Sequence, residues 1–119
     1  MKTIIVADDD SMFRAIITRQ LSQPGFSVVE KVSGKAVVRE IEEIHPVACL
    51  IDMVMDEKEG IETIMEIAKL PERPKIVAVS SNQLYLEMAV DLGADPSLKK
   101  TVSQQHLQAI LSELQIQAH

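Results

Sequence analysis

Thr3-Ile4-Ile5-Val6-Ala7-Asp8-Asp9-Asp10 joins a run built for a β-strand directly to three carboxylates, with no spacer between them. Aspartate is depleted in strands and costly to bury unpaired, so the strand must end at Ala7. The same transition recurs. Residues 47–51, Val-Ala-Cys-Leu-Ile, deliver Asp52, and residues 75–79, Lys-Ile-Val-Ala-Val, deliver Ser80 and Ser81. A weaker run at 96–99 delivers Lys100. Runs that are apolar at nearly every position read as strands covered on both faces, as in a parallel sheet. Residues 27–32, interrupted by Glu30 and Lys31, and residues 96–99 read as the edges of that sheet.

Helical spacing fills the intervals. Phe13, Ile16, Ile17 and Leu21 share one face, followed by Val37, Ile41 and Ile44, then Ile61, Ile64, Met65 and Ala68. Leu84, Met88 and Leu92 form the next stripe, and Leu107, Ile110, Leu111 and Leu114 the last. Pro24-Gly25, Pro46, Pro71, Pro74 and Gly93 punctuate the boundaries, and Ser103 is placed to cap the final helix. Five strands alternating with five helices predict an α/β fold: a doubly wound, open parallel sheet with helices on both faces. Right-handed crossovers put every strand's carboxyl end on one edge, where such sheets bind ligands. Adjacent strands lie about 4.8 Å apart. If the first strand pairs with the third, Asp9 and Asp52 can therefore reach one cation. Ser80 then stands one strand further on, and Lys100 on the strand beyond. Carboxylates, a hydroxyl and a lysine on one edge suit a divalent cation and a phosphoryl group.

The bulk numbers narrow the classes. The 119 residues predict one domain, 1–119, and 46% hydrophobic content excludes a disordered chain. A net charge of −6 argues against direct nucleic-acid binding by this domain, which needs clustered Lys and Arg. Cys49 is alone, so no internal disulfide can form, and its apolar surroundings predict a small buried hydrophobe. No stretch approaches the roughly 20 apolar residues of a membrane span, and the short apolar start runs straight into carboxylates, unlike a signal peptide. A cytoplasmic protein with no membrane contact is expected.

The ordered set resembles the response-regulator receiver domain of two-component signalling, including the chemotaxis receivers, over essentially the whole chain. The resemblance rests on Asp8-Asp9 after Ile4-Ile5-Val6 and on Asp52-Met53-Val54-Met55 with Gly60 following. It rests also on Ser80-Ser81 ending the fourth strand and on Gly93-Ala94-Asp95 leading to Lys100. It implies the flavodoxin-like strand order 2-1-3-4-5. It also implies Asp52 as phosphoacceptor, with Ser80 and Lys100 contacting the phosphoryl group. Asp9, Asp52 and the Val54 backbone carbonyl would bind Mg²⁺ (or Mn²⁺), and Asp8 would do so through water. A histidine kinase or phosphotransfer protein would supply the phosphoryl group. The fourth and fifth helices, including Tyr85, Lys99 and His106, would face a downstream partner. Such a domain is not an enzyme beyond its own phosphorylation and dephosphorylation.

Asp10 reads as a loop or capping residue, Lys99 as a neighbour of the functional lysine, and Glu40, Glu42 and Glu43 as a solvated helix face. His45, His106 and His119 lack metal-ligand spacing and read as surface or capping residues.

Several positions depart from the family's pattern. Thr101 replaces the proline that usually follows the lysine, and the Lys100–Thr101 bond is expected to be trans. Ser97 replaces the aromatic residue that usually swings inward on activation. Asp56, Glu57 and Glu59 predict an acidic lip that favours cation uptake and opposes an anionic donor. Val54 and Asn82, at positions that tune hydrolysis of the phosphoryl group, predict slow self-dephosphorylation. Thr101 and Ser97 support an alternative, a phosphorylation-independent binding module on the receiver fold. A haloacid-dehalogenase-type phosphatase would need an aspartate where Val54 stands. The predicted fifth helix leaves no room for an effector domain, so either a single-domain regulator or an excised domain is expected.

Overall fold

The computed structural model describes residues 2–55, 60–100 and 102–118. The β-branched runs form strands β1 (Thr3–Ala7), β2 (Ser27–Lys31), β3 (Ala48–Asp52), β4 (Lys75–Ser80) and β5 (Asp95–Lys99). Helices α1 (Ser11–Ser22), α2 (Val37–Ile44), α3 (Gly60–Ala68), α4 (Gln83–Asp91) and α5 (Gln104–Glu113) alternate with them. All neighbouring strands are parallel, in the order β2-β1-β3-β4-β5. The expected doubly wound α/β sheet is therefore the observed one, and the two interrupted runs are its edges.

Alternation along the strands divides the core in two. Ile5, Ala7, Cys49, Ile51, Ile76 and Ala78 point to the face covered by α2, α3 and α4, where they meet Val37, Ile41, Ile64, Ile67, Leu86 and Ala89. Ile4, Val6, Leu50, Val77 and Val79 point to the other face, where α1 and α5 supply Ile17, Leu21, Leu107 and Leu111. Cys49 is buried in the first layer, and the surrounding apolar packing pushes its thiol pKa up to about 12. It packs as a small hydrophobe.

Four predicted core positions are corrected. Ile16, Met65, Leu84 and Met88 are 48%, 40%, 70% and 43% exposed. In α4 the sheet instead takes Leu86 and Ala89. Glu40 is also not simply solvated, because its carboxylate pairs with Lys31 at 3.0 Å. No described helix is long and apolar enough to cross a membrane.

Two features aim the strand exits. The first is that backbone hydrogen bonds run past the strands. The amide of Asp8 donates to the Lys31 carbonyl (2.9 Å), that of Met53 to Val79 (3.0 Å) and that of Lys100 to Ser80 (2.9 Å). The second is an irregular pairing of β4 with β5. Val77 faces Asp95 but Val79 faces Leu98, so the edge strand carries an extra residue where Pro96 lacks an amide donor.

Candidate functional site

Asp8 leaves β1 gripped on three sides. Its amide is held by β2, its carbonyl accepts from Arg14 Nη1 at 2.6 Å, and its Oδ1 accepts the Asp10 amide at 2.8 Å. Its Oδ2 is turned toward Lys100. Arg14 is fixed in turn by Glu30 on β2, with Nε 3.3 Å from Oε1. Asp10 caps α1, accepting from the amides of Met12 (3.0 Å) and Phe13 (3.3 Å), which confirms its reading as a cap. Asn82 and Ser103 cap α4 and α5 in the same way. His45 ends α2, its amide bonded to the Ile41 carbonyl, and His106 is exposed on α5.

Carboxylate oxygens of Asp8, Asp9 and Asp52 lie within 4.8 Å of one another. Asp8 and Asp52 are buried, and Asp9 opens to solvent. Asp52 follows directly from β3, and its Oδ1 accepts the Val54 amide at 3.3 Å. Burial, followed by the charge of Asp8, pushes its pKa up to about 6, against the opposing pull of the Val54 amide and Lys100. The close approach depends on Gly60. A Cβ there would collide with the carbonyl oxygen of Asp52 and lie 2.8 Å from Met53 Cα.

Lys100 reaches this cluster from the end of β5. Its ammonium is 2.9 Å from Asp8 Oδ2 and 3.7 Å from Asp52 Oδ2. Burial works against the charge, but the Asp8 hydrogen bond and the charges of Asp52, Asp8 and Asp10 outweigh it, so the Lys100 pKa is raised. Ser80 is buried at the end of β4, and its Oγ accepts the Asn82 amide at 3.0 Å, leaving the hydroxyl hydrogen free to donate. Val54 stands beside Asp52 with its side chain 48% exposed. Lys99 is exposed on β5, as its reading as a neighbour requires.

The structure thus gathers Asp8, Asp9, Asp52 and Lys100 and places Ser80 on the same sheet edge. Sequence reasoning missed Phe13 and Arg14. Both lie in the first turn of α1, immediately after the acidic triplet, and that adjacency was the available signal. Ser97 is half-buried on β5, where its Oγ is enclosed and takes no hydrogen bond. Asp56, Glu57, Glu59, Thr101 and His119 lie outside the described residues.

This sheet order, with carboxylates at its carboxyl edge and a lysine reaching them from the last strand, defines a receiver-type module. The response regulator receiver domain family matches residues 4–112, and the chain belongs to that family. Receivers are signalling domains of two-component systems, in which response regulators are the counterparts of histidine kinases. The response regulator protein VraR of Staphylococcus epidermidis is 34% identical over 106 residues, covering 84% of this chain and 50% of that protein. The chain spans about half the length of the curated relatives it first matches. A CheY-like receiver domain protein from Methanospirillum hungatei superposes with a TM-score of 0.86 at 22% identity, over 96% of this chain and 93% of that one. A response regulator from Burkholderia pseudomallei, solved with a phosphorylated aspartic acid and a calcium ion, superposes at 0.82 and 21% identity, over 97% and 71%.

Proposed function

We propose that this domain accepts a phosphoryl group on Asp52 from a phosphohistidine partner and thereby switches the binding of a downstream protein. The observation that carries the reading is the buried Asp52 beside two further carboxylates, with the Lys100 ammonium 3.7 Å from its Oδ2. The donor set suits Mg²⁺ (or Mn²⁺). All its atoms are hard oxygens, and an octahedral ion with bonds of about 2.1 Å needs oxygens about 3–4 Å apart. The oxygens of Asp8, Asp9 and Asp52, all within 4.8 Å of one another, are near enough to converge on such an ion. Asp9 and Asp52, with the Val54 carbonyl, would hold the ion, and Asp8 would hold it through water. When bound, the ion neutralises negative charge on the phosphoryl oxygens.

An Asp52 oxygen attacks phosphorus in line as the P–N bond to the donor imidazole breaks, leaving an acyl phosphate. Ser80 Oγ donates to one phosphoryl oxygen and Lys100 pairs with another, so the chain's contribution is position and charge. Asn82 Oδ1 accepts the Leu84 amide at 2.9 Å as the α4 cap, and Val54 is apolar. Val54 cannot orient water, which supports slow loss of the phosphoryl group. Exposed Leu84, Tyr85, Met88 and Val90 on α4 support the α4 and α5 side as the partner surface. The kinase, the downstream partner, the cytoplasmic location and the assignment of residues 1–119 to one receiver belong to this proposal.

The test is intact mass after incubation with acetyl phosphate and Mg²⁺. One phosphoryl adduct is expected, abolished by Asp52→Asn and by EDTA. If folded protein gains no adduct from acetyl phosphate or from candidate phosphodonor proteins, the phosphorylation-independent module takes over. The small, half-buried Ser97 on β5, where receivers usually carry the aromatic that swings inward, is the observation that favours that second reading.

A further inference from the structure

Among the described residues Lys100 has three close partners, and one of them is not a carboxylate. Its ammonium lies 4.5 Å from the centroid of the Phe13 ring, as well as beside Asp8 and Asp52. A cation over an aromatic face is attracted by the ring quadrupole, more strongly where water is excluded. The Lys100 side chain is 21% exposed, so solvent competes only in part. The ring itself is fixed. Phe13 packs against the α1 and α5 core layer, and its amide is tied to the Asp10 cap at 3.3 Å.

The neutrality of this partner matters. A divalent ion drawn to Asp8, Asp9 and Asp52 competes with the ammonium for carboxylate oxygens and repels it, whereas hard ions choose oxygen over a ring face. Phe13 remains available to Lys100 in both states. We propose that Phe13 is a positioning residue whose ring keeps the Lys100 ammonium at the mouth of the site when a divalent ion occupies the carboxylates. Lys100 is then already in place for a phosphoryl oxygen arriving at Asp52. The inference rests on the phosphoacceptor reading above and adds to it the residue that holds the lysine.

The test has two arms. In the first, lysine ε-¹³C NMR follows the full chain with and without saturating Mg²⁺, with the Lys100 signal assigned by Lys100→Met. The ε-methylene protons of Lys100 are expected to be shifted upfield by the ring and to stay shifted with Mg²⁺. The shift is lost in Phe13→Leu and kept in Phe13→Tyr. Its disappearance from the wild type on adding Mg²⁺ overturns the proposal.

In the second arm, Phe13→Leu slows uptake from acetyl phosphate at saturating Mg²⁺ by roughly three- to tenfold. Phe13→Tyr restores the rate, and in a Lys100→Met background Phe13→Leu adds no further loss. An equal loss in that background, or no loss in the wild-type background, overturns the proposal. Thermal melts of each variant accompany both arms. A wild type that takes up no phosphoryl group refutes the phosphoacceptor reading, and the NMR arm alone then decides whether Phe13 holds Lys100.

Discussion

In the metal-free protein Asp52 ionises at a cost to the fold. Its pKa is about 6 when folded against 3.8 for the free group. Below about pH 4 both states hold the proton and nothing is lost. As pH rises to about 6 the unfolded chain sheds its proton first, so stability falls, and above that the loss is complete. Asp52→Asn removes the penalty. Urea titrations should find the variant more stable than wild type by about 1–3 kcal/mol at pH 7 without metal, and equal to it near pH 4. Saturating Mg²⁺ should narrow or reverse the gap at pH 7. Gly60→Ala acts on the same residue through sterics, since its methyl has no room against the Asp52 carbonyl. A loss of about 2–4 kcal/mol and slower phosphoryl uptake are expected. Asp8, Asp52 and Ser80 were legible because each ends an apolar run, where a polar residue needs a reason, whereas Asp9 was read from its place beside Asp8 and Lys100 mainly from the receiver resemblance. Phe13 was not, because an aromatic on a helix's apolar stripe reads as packing whether or not a cation lies over its ring.

The strands were legible to within a residue at their ends, because a buried parallel strand shows as an unbroken apolar run. Helix faces were less so, and α4 shows why. It carries two stripes of comparable spacing, and Leu84 and Met88 lie on the stripe that faces solvent. The sheet packs against small Ala89 together with Leu86. Positive φ was invisible too. His45 ends α2 at φ 54° and ψ 59°, a left-handed conformation that an L side chain adopts at a cost. His45→Gly relieves it and should raise stability by about 0.5–1 kcal/mol, read as a higher urea midpoint at unchanged slope. Asp95 shows an opposite polar arrangement at the start of β5. Burial disfavours its charge, but the Ile76 amide (2.9 Å) and Arg73 (3.0 Å) more than compensate, and its pKa is lowered. The stability this contributes is present above about pH 4 and is lost as pH falls through the lowered folded value.

For the molecule as a whole, the site draws on segments far apart in the chain and exists only where the sheet brings them together. Its parts are not held equally. Asp52 leaves a central strand covered on both faces, whereas Lys100 leaves the edge strand, beyond the extra residue that breaks its register with β4. Edge strands with an irregular ladder open locally at lower free energy than central ones. Native-state hydrogen exchange should therefore protect the Met53 amide, bonded to Val79, more than the Lys100 amide, bonded to Ser80. Equal protection would mean that both ends of the site open only with global unfolding. The irregular edge thus gives the two halves of the charge pair different clocks. On that expectation the carboxylate end keeps the time of the whole fold, and the backbone at the lysine end opens and recloses within the life of one folded molecule.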